Sequence, residues 1–159
     1  MITVIHDLEE EIYNKLGIKA DLVLSPKDKS GHCMGCFDCW LKNDGVCSIP
    51  DKFNNMKDIY LESSKVIVIS KNCYGMFSPF IKNIFDRSIG YISPYFRKVF
   101  GEVHHQLRYD KVIPMEYIIY DSNNDVWINT FNKLLKSNQE NFNNDYQVKY
   151  IKEIEELYE

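Results

Sequence analysis

Residues 65–70 place the tightest limit on how this chain can fold. They read Lys-Val-Ile-Val-Ile-Ser, so four β-branched residues follow one another without a polar interruption. This pattern is typical of a strand that is buried on both faces, as the central strands of parallel sheets are. Parallel strands need long crossover connections, which are usually helices. We therefore predict an α/β protein with helices on both faces of a parallel sheet.

Short apolar runs alternate with helical patterns along the rest of the chain. Further strands are predicted at 2–5, 20–24, 113–120 and 147–151. Helices are predicted at 8–16, at 52–62 with Asp51 as the cap, from Ser78-Pro79 onward, at 124–138 and at 152–159. The length of 159 residues predicts a single domain over 1–159. Such sheets bind ligands at the carboxyl ends of their strands, and we expect the loop after the second strand to lie near that edge.

Four of the five cysteines form a ladder, Cys33-x2-Cys36-x2-Cys39-x7-Cys47, within the loop 31–50. Thiols this close can hold an iron–sulfur cluster, hold zinc or form redox-active disulfides. The short gaps suit a cuboidal cluster with Cys47 closing the site, whereas they crowd a tetrahedral all-thiolate zinc site. A disulfide such as Cys39–Cys47 remains the redox alternative.

Charge and hydropathy narrow the class of protein. The formal net charge is −4, so the basic footprint of a nucleic-acid binder is absent from the sequence. No apolar run reaches about 18 residues, and the first residues lack the basic start of a signal peptide. We expect a cytoplasmic protein with no membrane partner. Because cytosolic thiols are kept reduced, the ladder is expected to be a metal or redox site.

Residues 91–110 form an aromatic insert that carries the pair His104-His105. An exposed aromatic patch marks association, so we expect this insert to form the interface of a homo-oligomer, either a dimer or a tetramer. Loop or interface packing is the favoured explanation for the two histidines, ahead of metal binding or proton transfer.

Three motifs, in order, resemble the NADPH-dependent FMN reductase and iron–sulfur flavoprotein family. They are Cys-Met-Gly-Cys-Phe-Asp-Cys-Trp at 33–40 with Cys47 and Asp51, Cys-Tyr-Gly-Met-Phe-Ser-Pro at 73–79 with Asp86-Arg87, and Gly-Glu-Val-His-His at 101–105 with Arg108-Tyr109. The resemblance implies a flavodoxin-like, doubly wound sheet of five strands in the order 2-1-3-4-5. It also implies non-covalent FMN, NAD(P)H as electron donor and a redox partner as acceptor.

The resemblance also implies site residues. The loop 72–78 would contact the flavin ring, and Gly75 would let the ring approach closely. The implied FMN contacts are Asn72, Cys73, Tyr74, Gly75, Met76, Phe77, Ser78, Asp121 and Ser122. The implied ligands of a [4Fe–4S] cluster are Cys33, Cys36, Cys39 and Cys47. No catalytic residue is predicted.

One segment departs from the family pattern. The loop after the first strand reads His-Asp-Leu-Glu-Glu-Glu at 6–11, without the Gly, Ser and Arg of the family's phosphate site. Its carboxylates would repel a phosphate. Two hypotheses follow. The chain is an FMN-dependent NAD(P)H oxidoreductase or electron-transfer flavoprotein, or it is a degenerate flavodoxin-like module that has lost FMN and serves as a metal-binding or interaction subunit.

Overall fold

The computed structural model of the protein describes residues 1–158. Its strands are β1 (Ile2–His6), β2 (Leu22–Leu24), β3 (Lys65–Lys71), β4 (Phe96–Val99), β5 (Glu102–His105), β6 (Ile113–Tyr120) and β7 (Asn144–Tyr150). Five of them form one sheet in the order β2-β1-β3-β6-β7, and every neighbouring pair is parallel. The predicted order 2-1-3-4-5 is confirmed, because β6 and β7 are the fourth and fifth strands of this sheet.

Helices cover both faces of the sheet. They are α1 (Glu10–Lys15), α2 (Asp38–Leu41), α3 (Met56–Glu62), α4 (Pro79–Arg87) and α5 (Asp125–Phe142). Val66 and Val68 of β3 face the larger core, beneath α3, α4 and α5, whereas Ile67 and Ile69 face the smaller one, beneath α1. The central strand is therefore buried on both sides, as its sequence predicts. Within residues 1–158, no helix has the length and apolar character to cross a membrane.

Several helix and strand ends differ from the predictions. The helix predicted at 52–62 begins at Met56, and its N-cap is Asn55 rather than Asp51. The Asp51 carboxylate instead binds the side chain of Arg87. The strand predicted at 20–24 is limited to Leu22–Leu24, and the first helix spans Glu10–Lys15 rather than 8–16.

The last third of the chain shows the largest shifts. Helix α5 runs past 138 to Phe142 and ends at Asn143, which adopts a left-handed conformation. Strand β7 therefore occupies Asn144–Tyr150 and not 147–151. The final helix predicted at 152–159 is only a 3-10 turn over Ile154–Leu157, and Glu159 lies outside the described residues.

The aromatic insert contains an antiparallel hairpin, β4–β5, that was not predicted from the sequence. Its turn falls at Phe100-Gly101, where both residues have positive φ. The hairpin is fixed to α5, because the Arg97 guanidinium donates to the Glu140 carbonyl and the His105 amide donates to the Asn141 side chain. Phe96 is 62% exposed and Phe100 is fully exposed, so the hairpin presents aromatic surface to solvent.

Candidate functional site

A cleft of about 370 Å³ lies at the carboxyl ends of the two central strands, β3 and β6. Open parallel sheets bind ligands at this edge. We call it the ring cleft. Its lining consists of Lys71, Asn72, Cys73, Tyr74, Asp121, Asn123 and Trp127. The two segments predicted to contact a flavin ring, 72–78 and 121–122, are thus brought together by the fold.

The side chain of Asn72 connects the two segments. Its Oδ1 accepts a hydrogen bond from the Gly75 amide at 2.9 Å, and its Nδ2 donates to the Ser122 hydroxyl at 3.3 Å. Cys73 and Met76 exchange two backbone hydrogen bonds, which close a tight turn between them. Lys71 and Asp121 form an ion pair with 2.7 Å between Nζ and Oδ2. The cleft is therefore held by polar contacts within the protein.

Gly75 packs closely against α5. Its φ is +87°, and a Cβ at this position would lie 2.7 Å from the Thr130 Cβ and 3.0 Å from the Trp127 carbonyl oxygen. Side chains are excluded on that side because the loop packs tightly against α5. Gly75 thus allows the close contact between loop and helix.

Few backbone amides of the loop remain for a ligand. Within 72–78, all of which the structure describes, the amides of five residues already donate to acceptors in the protein. Those residues are Asn72, Cys73, Gly75, Met76 and Ser78. Tyr74 and Phe77 have no such acceptor. Of these two residues, Phe77 is buried and Tyr74 lines the cleft.

The ring of Tyr74 forms a wall of the cleft. It is 80% exposed and packs edge-on against Trp127, with 5.1 Å between the ring centroids. Beside it, burial raises the pKa of the Cys73 thiol, so this cysteine is protonated at neutral pH and is a poor nucleophile.

The other residues predicted to contact FMN either stabilise the fold or lie outside the lining of the ring cleft. Phe77 is buried in the larger core against Phe85 and Phe131. The Ser78 hydroxyl caps α4 by accepting from the Ile81 amide, and the Ser122 hydroxyl donates to the Ile119 carbonyl. Met76 is exposed and does not line the cleft.

Asp7 closes the crevice between β1 and β3, where the strand order reverses. Its amide donates to the Ile69 carbonyl at 3.3 Å, and its Oδ2 accepts from the Lys71 amide at 2.9 Å. Its Oδ1 is buried without a hydrogen-bond partner among the described residues. Burial raises the pKa of Asp7, although hydrogen bonds to its carboxylate, including that from the Lys71 amide, act to lower it. The sequence analysis placed Asp7 among the carboxylates after the first strand that would repel a phosphate, and its bond to the Lys71 amide was not predicted.

Next to Asp7 lies a cavity of about 480 Å³, which we call the acidic cavity. Its charged lining residues are Asp7, Glu9, Glu10 and Lys27. The Lys27 ammonium is paired with the Glu10 carboxylate at 2.8 Å. Burial lowers the pKa of His6 to about 4, so this imidazole is neutral at pH 7 and adds no positive charge. At neutral pH the cavity therefore carries an excess of negative charge.

The cysteine ladder surrounds a separate small cavity of about 20 Å³, which we call the thiol cavity. All four ladder cysteines line it, together with residues at the carboxyl end of α4 such as Asp86 and Arg87. All five cysteines of the chain are free thiols. Burial, and then the neighbouring ladder cysteines, raise the pKa of Cys39. The ladder therefore brings its thiols together, but beside α4 rather than at the ring cleft.

Arg87 anchors the ladder loop. Its side chain is 0% exposed and donates to both carboxylate oxygens of Asp51, each at 2.6 Å. It also donates to the carbonyls of Gly31 at 3.2 Å and Ile49 at 3.3 Å. On the same helix, the Asn83 Oδ1 accepts from the Cys33 amide at 2.9 Å. The positioning role of Arg87 was missed from the sequence because its partners lie far along the chain.

The thiol donors suit a metal or an iron–sulfur cluster, but the cavity is small. A space of about 20 Å³ holds roughly one water molecule. Within residues 1–158, no group of three or more His, Cys, Asp or Glu side chains is arranged to hold a metal ion. A cuboidal cluster would therefore require the ladder loop to open.

Sheet order, covering helices and the cleft at the strand ends together define an α/β protein of the flavodoxin-like class. No protein-family model matches the chain, and no curated protein matches it. Among solved structures it is similar to the FMN-dependent NADH-azoreductase from Bacillus anthracis str. Ames Ancestor in complex with FMN. The TM-score is 0.56 at 11% sequence identity, covering 99% of this chain and 91% of that chain. At this identity the likeness shows the fold, and function has to be argued from the site.

FMN, the cofactor of that neighbour, fits this chain only in part. The ring cleft offers an open space at the appropriate sheet edge, with an aromatic wall and the Tyr74 amide. The segment after β1, where a phosphate would need donors and positive charge, instead presents Asp7, Glu9 and Glu10. The residues present fit the ring of FMN and do not fit its phosphate.

Proposed function

We propose that the protein is a flavin-dependent oxidoreductase of the flavodoxin-like class that accepts electrons from NADH or NADPH and passes them to a redox partner. The observation that carries this proposal is the ring cleft, because it lies at the carboxyl ends of β3 and β6 and has an aromatic wall. The FMN-dependent NADH-azoreductase with the same fold supports it. A bound flavin would supply one- and two-electron transfer.

The chain's own residues would bind and orient the ring. Tyr74 and Trp127 provide an apolar wall, and the Tyr74 amide provides a donor for a polar ring edge. The ion pair between Lys71 and Asp121 links the two strand ends that line the ring cleft. Because Cys73 is a protonated thiol, we assign it packing rather than chemistry.

A titration with FMN, followed by flavin fluorescence, tests this function. We expect quenching that saturates, and an absorption spectrum that shifts when the flavin binds. The variant Tyr74→Ala removes the wall and should weaken binding by about threefold to tenfold, the usual range for one aromatic contact. Tyr95→Ala is the matched control, because Tyr95 is also exposed but lies in the insert, outside the ring cleft. Absence of any flavin binding would contradict the proposal.

A second candidate is a flavin-free module that binds metal through the ladder or docks another protein. The negative charge of the acidic cavity favours it, since that charge opposes FMN. In this case, or alongside a flavin, the ladder would hold a [4Fe–4S] cluster or another thiolate-bound metal. Iron, sulfide and zinc assays on anaerobically purified protein test it. Cys36→Ser should abolish the metal, whereas Cys73→Ser, outside the ladder, should retain it.

We also propose that the chain forms a homo-oligomer through the exposed aromatic surface of the hairpin β4–β5. Phe96 and Phe100 carry this proposal, because large exposed aromatic side chains mark association surfaces. Sedimentation analysis should show a dimer or tetramer for the natural chain and a smaller species for the double variant Phe96→Ser/Phe100→Ser. A monomeric natural chain would contradict it. A cytoplasmic location, in keeping with the free thiols, is proposed with it.

A further inference from the structure

We infer that the ring cleft takes a flavin without its terminal phosphate, and that the acidic cavity discriminates against FMN in favour of riboflavin. This inference rests on the proposed function, since it assumes that a flavin ring occupies the cleft. The ring cleft suits a flavin ring, whereas the acidic cavity opposes a phosphate, so the two sites together select between flavins.

The crevice between β1 and β3 is closed by Asp7. In flavodoxin-like sheets this reversal point is where a ligand can enter between the strand ends. Here the Asp7 carboxylate spans it and accepts from the Lys71 amide at 2.9 Å. The Lys71 amide is therefore bonded to a carboxylate of the protein rather than to a ligand, and the Asp7 Oδ1 is buried without a hydrogen-bond partner among the described residues.

The acidic cavity carries more negative than positive side chains. Three carboxylates line it, from Asp7, Glu9 and Glu10, and Lys27 is the one cation among its described lining residues. Lys27 is paired with Glu10 at 2.8 Å, and the neighbouring Lys71 is paired with Asp121 at 2.7 Å. A phosphate dianion would meet net repulsion here, because neither ammonium is free to neutralise it.

The segment after β1 has its first two amides bonded within the protein and is followed by an acidic helix start. The Asp7 amide donates to Ile69, and the Leu8 amide donates to the His6 imidazole at 3.2 Å. Helix α1 has only six residues, and its first turn carries Glu10 and Glu11. Phosphate sites depend on free amides and a helix dipole directed at the anion. Here the amides of Asp7 and Leu8 are used within the protein, and the short helix begins with carboxylates that oppose an anion.

Paired titrations with FMN and riboflavin test the inference, because these ligands share one ring and differ in the phosphate. We expect riboflavin to bind the natural protein at least as tightly as FMN. Raising the salt concentration should strengthen FMN binding by screening repulsion, and should leave riboflavin unchanged.

The variant Glu10→Gln sharpens the test, because it removes one carboxylate and releases the Lys27 ammonium. It should strengthen FMN binding about tenfold, equivalent to about 1.4 kcal/mol, with no change for riboflavin. Glu11→Gln is the matched control: it neutralises the next residue of the same helix, whose carboxylate pairs with Lys15 and does not line the acidic cavity. It should alter neither affinity.

The outcomes separate the inference from the proposed function. If FMN binds tenfold or more tightly than riboflavin, the inference is overturned while the proposed function stands. An unchanged FMN affinity in Glu10→Gln also overturns it. If neither flavin binds, both the inference and the proposed function fail.

Discussion

Removing the carboxylate of Asp51 should destabilise the protein strongly, because it leaves the buried Arg87 guanidinium without its counter-charge. Breaking a buried ion pair by deleting one partner typically costs about 3–5 kcal/mol. Arg87 keeps its bonds to the carbonyls of Gly31 and Ile49, so we expect the lower end of this range. The amides of Gly31 and Phe53 also lose an acceptor, which adds to the cost.

Urea unfolding, followed by circular dichroism, measures this effect in Asp51→Ala. With a slope of about 2 kcal/mol per molar urea, a loss of about 3 kcal/mol lowers the midpoint by about 1.5 M. Glu11→Ala is the control, because it deletes a carboxylate from an exposed ion pair with Lys15 and should not shift the midpoint. A loss below about 1 kcal/mol in Asp51→Ala would refute the role assigned to this pair.

The pH dependence of this loss provides a second measurement. Burial alone would raise the pKa of Asp51, but the hydrogen bonds from Arg87 and from two amides outweigh it, so the pKa lies below its usual range. The carboxylate therefore stabilises the fold above the pKa of the unfolded chain, about 4, and this contribution disappears as the pH falls through the folded value. The difference between natural protein and Asp51→Ala should shrink below about pH 4.

Three further predictions concern single positions. Gly101 has free space around it, so Gly101→Ala should lose only the stability that a left-handed backbone costs an alanine, about 1–2 kcal/mol. Gly75→Ala should lose about 1–3 kcal/mol more, because the added Cβ collides with α5. Equal losses of stability for the two variants in urea unfolding would contradict this prediction. The pKa of His6 is about 4 in the folded protein against 6.5 in the unfolded chain, so the unfolded chain binds a proton first as the pH falls. The free energy of unfolding should therefore decrease by an amount on the order of 3 kcal/mol between pH 6.5 and 4. A pH profile of stability equal to that of His6→Gln would refute this prediction. Cys39 is buried and its pKa is raised, so timed alkylation with peptide mapping should label it more slowly than the exposed Cys36, and the reverse order would show that the ladder loop opens.

The sheet was predictable because the sequence of β3 itself indicates that both faces of this strand are buried. Four consecutive β-branched residues fit only a strand with apolar contacts on both faces, and both cores are present. The boundary between α5 and β7 was not predictable in the same way. It falls between Asn143 and Asn144, in a polar run without Gly or Pro, where the left-handed conformation of Asn143 ends the helix.

The candidate site was predictable only where it follows from strand ends. Asn72 and Asp121 come directly after β3 and β6, so a parallel sheet has to place them side by side. The internal roles of Gly75 and Phe77 depend on how the loop packs against α5 and the core, which no local pattern reveals. The bond between Asp51 and Arg87 likewise depends on a contact between distant parts of the chain.

Helix α4 links the two candidate redox features and determines how they can be tested independently. Its N-cap, Ser78, ends the ring-cleft loop, and its last residue, Arg87, anchors the cysteine ladder about 13 Å further along the axis. Among the described residues, the ring cleft and the thiol cavity share no lining residue. Substituting Arg87 would disturb both features through the stability of the fold. Substitutions at the exposed thiols of Cys33 and Cys36 leave the anchor intact, so a change in flavin binding in those variants would report coupling between the ladder and the cleft rather than partial unfolding.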